Sequence, residues 1–196
     1  MRLLTSILAV FIGASATVGA PKDTKTQKLE LVKLLDVMVP FAKQMLTNHG
    51  EFYPYGATMD ANGKITSVGG YTGDEQPKSA EVIDLLRAAY RRDGQSSRIM
   101  ACSLAYDIRT IPPGQTEKAD AVAVELDHRD GMSLVVVYPY SIGADKQVQF
   151  GTSFAMKGKG GIFRSRTTGD QDPTRNGSRP SAPETNRTSP PSASKR

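Results

Sequence analysis

Hydrophobic positions recur at helical spacing in two segments of the chain. In the first segment, residues 24–48, the apolar stripe consists of Leu31, Leu34, Leu35, Met38, Ala42 and Met45. In the second segment, residues 78–93, it consists of Ile83, Leu86, Ala89 and Tyr90. The pattern therefore predicts two amphipathic helices. Because Pro40 lies inside the first segment and lacks a backbone donor, a kink or a break is expected there.

Elsewhere between the two ends of the chain, apolar and polar residues alternate with the period of a strand. The predicted strands span residues 52–59, 64–70, 98–111, 119–128, 133–140 and 148–155. Asp60-Ala61-Asn62-Gly63 and Asp130-Gly131 are typical hairpin turns. Short hairpin connections favour an antiparallel sheet over parallel crossovers. The sequence thus predicts an α+β domain in the order α-β-β-α-β-β-β-β. We expect a two-layer sandwich, with about five to six strands and two helices on one face.

The two ends of the chain differ from this middle part. Residues 1–20 begin with Arg2, continue with an apolar run and end in small residues, which is the pattern of a secretory signal peptide. Residues 164–196 lack large apolar side chains, so a disordered, basic, Ser/Pro/Arg-rich tail is predicted. Residues 21–163 are predicted to form the single α+β domain, with residues 157–161 as a flexible exit.

The predicted signal places the protein outside the cytoplasm, either secreted or periplasmic, without a transmembrane span in the mature form. An alternative is an uncleaved N-terminal anchor that tethers the chain to the membrane, because the uncharged run before Pro21 is marginally long enough to cross a bilayer.

The distribution of charge along the chain indicates which kinds of binding partner to expect. The formal net charge is +5, but the excess lies at the two ends, and residues 21–163 are balanced. The folded part therefore gives no indication of specific nucleic-acid binding. The expected partner is an unidentified protein or a component of the cell envelope.

One possible catalytic set combines Cys102 as nucleophile, His128 as base and Asp127 as the orienting group. Cys102 lies in an apolar strand, where a small buried thiol packs well. His128 begins a turn sequence, which explains its position without catalysis. A carboxylate pair, Asp107 with Glu125 or Asp127, is the other candidate for hydrolysis.

Binding chemistry is indicated by four tyrosines beside proline at strand ends: Tyr53, Tyr55, Tyr138 and Tyr140. They could line a binding groove or simply close the ends of the core. Two histidines and one cysteine give no paired metal-ligand spacing, so neither a metal nor a cofactor is expected.

Several segments resemble a family of small, functionally uncharacterised bacterial α+β proteins. The resemblance is carried by His-Gly-Glu-Phe-Tyr-Pro-Tyr-Gly at residues 49–56, by residues 101–109, by Asp-His-Arg-Asp-Gly at residues 127–131, and by Tyr-Pro-Tyr at residues 138–140. It implies no activity, cofactor or catalytic residue. Members resemble stand-alone domains without an export signal, and residues 1–20 depart from that pattern.

Because no catalytic set outweighs its structural explanation, the sequence favours an exported, non-enzymatic binding or interaction domain. The alternative is a small hydrolase that uses Cys102 and His128 or a carboxylate pair.

Overall fold

The computed structural model describes residues 22–163, so the expectations for the signal peptide and the tail lie outside the described residues. The helices are α1 (Thr24–His49) and α2 (Ser79–Gln95). The strands are β1 (Tyr55–Met59), β2 (Ile65–Gly69), β3 (Ala101–Thr110), β4 (Ala119–His128), β5 (Ser133–Ile142), β6 (Val148–Phe150) and β7 (Phe154–Lys157). The predicted α+β class is confirmed. The last predicted strand, 148–155, is replaced by two short strands, β6 and β7.

All strand pairs are antiparallel, as the hairpin turns predicted. The order across the sheet is β2-β1-β3-β4-β5, and both β6 and β7 pair with the outer edge of β5. The longest ladder joins β3 to β4 in ten consecutive pairs, from Ala101 opposite His128 to Thr110 opposite Ala119. These two strands therefore form the centre of the sheet.

The strand register separates the side chains into two faces. Ala105 of β3 stands opposite Val124 and belongs to the face against which α1 packs, here called the α1 face. Leu104 stands opposite Glu125 and belongs to the face against which α2 packs, the α2 face.

The two helices thus lie on opposite faces of the sheet, and the prediction of both helices on one face is wrong. The reason lies in β3. Its small residues Ala101 and Ala105 point to the α1 face, while Cys102 and Leu104 point to the α2 face, and all four are buried. A strand that is apolar on both faces requires cover on both, so the helices enclose the sheet in three layers.

Both ends of helix α1 are capped. The Asp23 side chain accepts hydrogen bonds from the backbone N–H groups of Lys25 and Thr26, and Gly50 ends the helix in the left-handed conformation. The helix continues through Pro40 without a break, and the ring of Pro40 is exposed. The buried stripe covers the α1 face and consists of Leu31, Leu34, Met38, Ala42 and Leu46.

Helix α2 is shorter and packs against β1 and β3. Tyr90 lies flat over β1 because Gly56 has no side chain: a Cβ there would fall 1.8 Å from the tyrosine oxygen. The Tyr90 hydroxyl donates a hydrogen bond of 3.1 Å to the Ser103 carbonyl. This close fit holds α2 over one half of its face and leaves the other half of the sheet without a helix.

Both ends of the described chain lie at the turn between β4 and β5. The Lys22 backbone N–H donates to the Asp130 carboxylate at 2.9 Å. At the other end Ile162 is buried, and the Phe163 ring lies 5.9 Å from the Arg129 guanidinium carbon. Within residues 22–163, neither helix is long and apolar enough to span a membrane.

Candidate functional site

An open cleft of about 430 Å³ lies on the α2 face, beyond the edge of α2. Its floor comes from β3, β4 and β5, and α2 forms one wall. The opposite wall is formed by β7 and by residues 157–161, here called the strap. The cleft exists because α2 covers only β1 and β3 on this side of the sheet.

The floor of the cleft is largely apolar. Ala123 stands opposite Val137 and Glu125 opposite Val135 in the β4–β5 ladder, so both valines face the cleft. Met156 of β7 pairs with Val135 and is 47% exposed. A ligand's apolar part would be shielded from water where it contacts Val135 and Met156.

The strap is held against β5 by contacts that only glycine permits. The Gly158 N–H donates to the Ser133 carbonyl at 3.0 Å, and a Cβ on Gly158 would fall 2.1 Å from the Ser133 hydroxyl oxygen. The Gly160 N–H donates to that hydroxyl at 3.0 Å. These residues were predicted to be a flexible exit, and the structure instead makes them a wall of the cleft. A second cavity, of about 180 Å³, adjoins the strap and shares Asp127 and Ser133 with the cleft.

A closed ion pair lies where α2 meets the floor. The Arg87 guanidinium donates to Glu125 Oε1 at 2.6 Å and to Oε2 at 3.3 Å. The Tyr106 hydroxyl donates to the same Oε1 at 2.8 Å. Two-pronged pairing of this kind is strong and directional. Both oxygens of Glu125 are therefore already used within the protein.

Asp127 lies two residues further along β4 on the same face and has a different environment. Burial raises the pKa of its carboxyl group, and the neighbouring Glu125 charge adds to this, while a hydrogen bond with Ser133 partly offsets it. Within the part of the chain that the structure describes, Asp127 forms no ion pair. It is a partly desolvated carboxylate that lines both cavities.

Arg91 follows Arg87 by one turn of α2 and also lines the cleft. Its side chain is exposed, and among residues 22–163 it has no carboxylate partner. The cleft therefore contains one satisfied pair, Arg87 with Glu125, and several charged groups that form no ion pair among the described residues: Asp127, Arg91 and the strap lysines Lys157 and Lys159.

Cys102 and His128 do not form the hypothesised nucleophile and base, because they lie on opposite faces of the sheet. Cys102 is buried on the α2 face opposite Asp127, and burial raises the pKa of its thiol well above the usual range. His128 is buried on the α1 face, where its Nε2 contacts the Glu30 carboxylate at 2.8 Å. Its Nδ1 accepts from the Asp130 N–H at 3.1 Å, so Nε2 carries the proton that is donated to Glu30. His128 thus has a structural role.

The carboxylate pair that includes Asp107 is also not formed. Asp107 stands opposite Val122 on the α1 face, whereas Glu125 and Asp127 stand on the α2 face. Its carboxylate accepts a hydrogen bond from the Tyr140 hydroxyl at 3.1 Å. The Asp107 carboxylate is therefore separated from the other two by the sheet.

None of the four tyrosines predicted for binding lines the cleft. The Tyr55 hydroxyl donates to the Met38 carbonyl at 2.5 Å, and Tyr138 packs edge-on against Phe150, both on the α1 face. Tyr53 precedes β1 and is 53% exposed. The packing of Tyr55 and Tyr138 agrees with the alternative that these rings close the core. A binding role for the four tyrosines stays a prediction.

The sequence did not predict Arg87, Arg91 or Tyr106 as residues of the site. One signal was present: Glu125 and Asp127 alternate with buried valine and leucine on a central strand, where unpaired carboxylates are costly. They needed a partner from an element packed on the same face, and α2 carries two arginines one turn apart. Among residues 22–163, no three His, Cys, Asp or Glu side chains are grouped so as to hold a metal ion.

Comparisons with protein-family models, curated proteins and solved structures find no match for the chain. The resemblance to small bacterial α+β proteins therefore stays a prediction.

Proposed function

We propose that this chain is an exported, non-enzymatic binding domain and that its ligand site is the cleft on the α2 face. The observation that carries the proposal is the incomplete cover of that face: α2 packs against β1 and β3 only, and an open cleft of about 430 Å³ with both apolar and charged lining residues lies beside it. That size is typical of small-molecule sites, which combine an apolar lining with a few polar groups.

Two features favour binding over hydrolysis. Glu125 is held in place by Arg87 and Tyr106, which donate hydrogen bonds to both of its oxygens, and this ion pairing disfavours its use as a general base. A cysteine nucleophile needs a thiolate, and the raised pKa of the buried Cys102 keeps its thiol protonated at neutral pH.

The cleft is tested by filling it. We expect metabolite-sized compounds that bind the full chain, detected by ligand-observed NMR, to lose binding when Val135→Trp occupies the floor. Ile142→Trp is the matched control, since Ile142 lies on the same strand, is 40% exposed and does not line the cleft. Ligands that bind V135W as well as the wild type would show that the cleft is not the site.

Export is tested separately. If the predicted signal is removed, the mature protein begins at Thr17 or Pro21, depending on which small-residue site is cleaved. N-terminal sequencing of protein from fractionated cells measures this. An intact Met1 in the membrane fraction would favour the uncleaved anchor, and an intact Met1 in the cytoplasm would contradict export.

A further inference from the structure

Arg91 and Asp127 continue the arrangement of the Arg87–Glu125 pair. Arg91 follows Arg87 by four residues on α2, a rise of about 6 Å. Asp127 follows Glu125 by two residues on β4, a rise of about 6.6 Å. Both elements run toward Arg129, which follows β4 and whose guanidinium donates to the Gly94 carbonyl near the end of α2. Arg91 and Asp127 are therefore at a similar level, as Arg87 and Glu125 are.

Arg91 and Asp127 do not form an ion pair, whereas Arg87 and Glu125 do. Arg87 and Glu125 are 2.6 Å apart, whereas Arg91 and Asp127 are farther apart than the 4.0 Å limit of an ion pair. Ile162, which follows the strap, is buried in this region and lines the cleft together with both residues. A ligand in the cleft therefore has both a carboxylate and a guanidinium in the lining around it.

A ligand with one charge would satisfy only half of this site. A lone anion would meet Arg91 and the strap lysines, Lys157 and Lys159, but also the carboxylate of Asp127, which is already partly desolvated. A lone cation would meet Asp127 but also Arg91 and the exposed lysines of the strap, Lys157 and Lys159. A ligand that carries both charges is attracted at both ends, and like-charge contacts select against the others.

We propose that the cleft binds a zwitterion of the α-amino-acid class, either free or as a short peptide, with an apolar side chain. Its ammonium group contacts Asp127, its carboxylate contacts Arg91, and its side chain lies over Val135 and Met156. This inference rests on the proposed function, because it names the ligand of the same cleft.

Calorimetric titration of the full chain with four leucine compounds tests the charges one at a time. L-leucine and the dipeptide Leu-Leu carry both charges, N-acetyl-L-leucine lacks the cation, and L-leucinamide lacks the anion. We expect each blocked compound to bind about tenfold more weakly than L-leucine, because each loses one charged hydrogen-bond contact. The tighter of L-leucine and Leu-Leu identifies a free amino acid or a peptide as the source of the zwitterion.

Variants assign each charge to its residue. Asp127→Asn should abolish the tighter binding of L-leucine relative to N-acetyl-L-leucine. Arg91→Gln should abolish its tighter binding relative to L-leucinamide. Arg92→Gln is the matched control, since Arg92 is the exposed neighbour that pairs with Asp93 and does not line the cleft. It should preserve both advantages.

The outcomes separate this inference from the proposed function. N-acetyl-L-leucine binding as tightly as L-leucine, or an unchanged preference in D127N, would overturn the zwitterion. If no leucine compound binds while other compounds bind in a V135W-sensitive manner, the zwitterion fails and the binding cleft stands. If nothing binds in the cleft, both proposals fail.

Discussion

The α1 face and the α2 face of the sheet differ in how far a helix covers them. Helix α1 has 26 residues and packs against β1, β3, β4 and β6, while α2 has 17 residues and packs against β1 and β3. The α1 face is filled mainly by aliphatic side chains and also encloses three polar ones, Gln27, Ser103 and His128. The uncovered half of the α2 face contains the cleft and its charged groups.

This contrast assigns different tasks to the two faces. Continuous apolar burial is the main source of folding free energy, and it lies on the α1 face. Partly desolvated charges cost free energy unless they have partners, and Asp127, which forms no ion pair among the described residues, lies on the α2 face. The first face stabilises the fold, and the second presents a site on that stable support. Four substitutions test this division, in order of decreasing effect.

Leu34→Ala should have the largest effect. Leu34 is 0% exposed beneath α1, so its truncation leaves a cavity in the main core and should cost about 3 kcal/mol of unfolding free energy. Urea denaturation measures the loss. Val37→Ala on the same helix removes a side chain that is 38% exposed and should cost far less. Equal losses for the two variants would contradict the closed α1 face.

Arg87→Met should have the second-largest effect, at about 2 kcal/mol, because it leaves the Glu125 carboxylate partly buried without its counter-ion. Urea denaturation again measures it. The control is Arg109→Met, which removes an exposed pair with Asp120 on the α1 face and should cost less than about 0.5 kcal/mol. In the background of Glu125→Gln, much of the cost of Arg87→Met should disappear.

Cys102→Ala should cost about 1 kcal/mol, since one small buried group is lost beneath α2. In the native protein, the Cys102 thiol should react with an alkylating reagent only as fast as the protein opens. Met156→Cys, made in the Cys102→Ala background, places a thiol at a position of the cleft that is 47% exposed and should react rapidly. Rapid labelling of native Cys102 would show that α2 does not close its half of the face.

Asp127→Asn should have the smallest effect, and the effect should be stabilising. Because the folded protein raises the pKa of Asp127, this carboxyl group favours folding when protonated and disfavours it when ionised. The penalty is therefore absent below the unfolded-state pKa of about 3.9 and develops as the pH rises through the folded-state pKa.

Asparagine cannot ionise. Asp127→Asn should therefore raise the free energy of unfolding by about 0.5 kcal/mol at pH 7 after allowance for solvent screening, and should change it little at pH 3. Thermal melts at both pH values, with the exposed Asp120→Asn as control, measure the difference. A loss of stability at pH 7 would contradict an uncompensated charge in the cleft. A gain would show that the site has a stability cost, as functional sites often do.

Local sequence patterns predicted the elements well, because helical repeats and the turn at residues 60–63 report on neighbours in the chain. The placement of the helices depends on contacts between distant segments. The pattern of β3 left the choice of face open, because Ala101 and Ala105 on one side and Cys102 and Leu104 on the other are all suited to burial.

The cleft could not be predicted for the same reason. The Arg87–Glu125 pair joins residues 38 positions apart and forms only because α2 packs on the face opposite α1. With both helices on one face, as we expected, Glu125 would have pointed to solvent and needed no partner.

The two ends of the described chain meet at the β4–β5 turn, and this proximity bears on how the chain could be reconnected. Lys22 is tied to Asp130, and Phe163 lies against Arg129, so the two ends of the described chain are anchored at adjacent residues of one turn. Chains with neighbouring ends commonly tolerate circular permutation. A short glycine-serine linker from Phe163 to Lys22 would close the polypeptide into a ring. New termini opened at the exposed hairpin of Ala61 and Asn62 would then lie between β1 and the edge strand β2, away from the cleft.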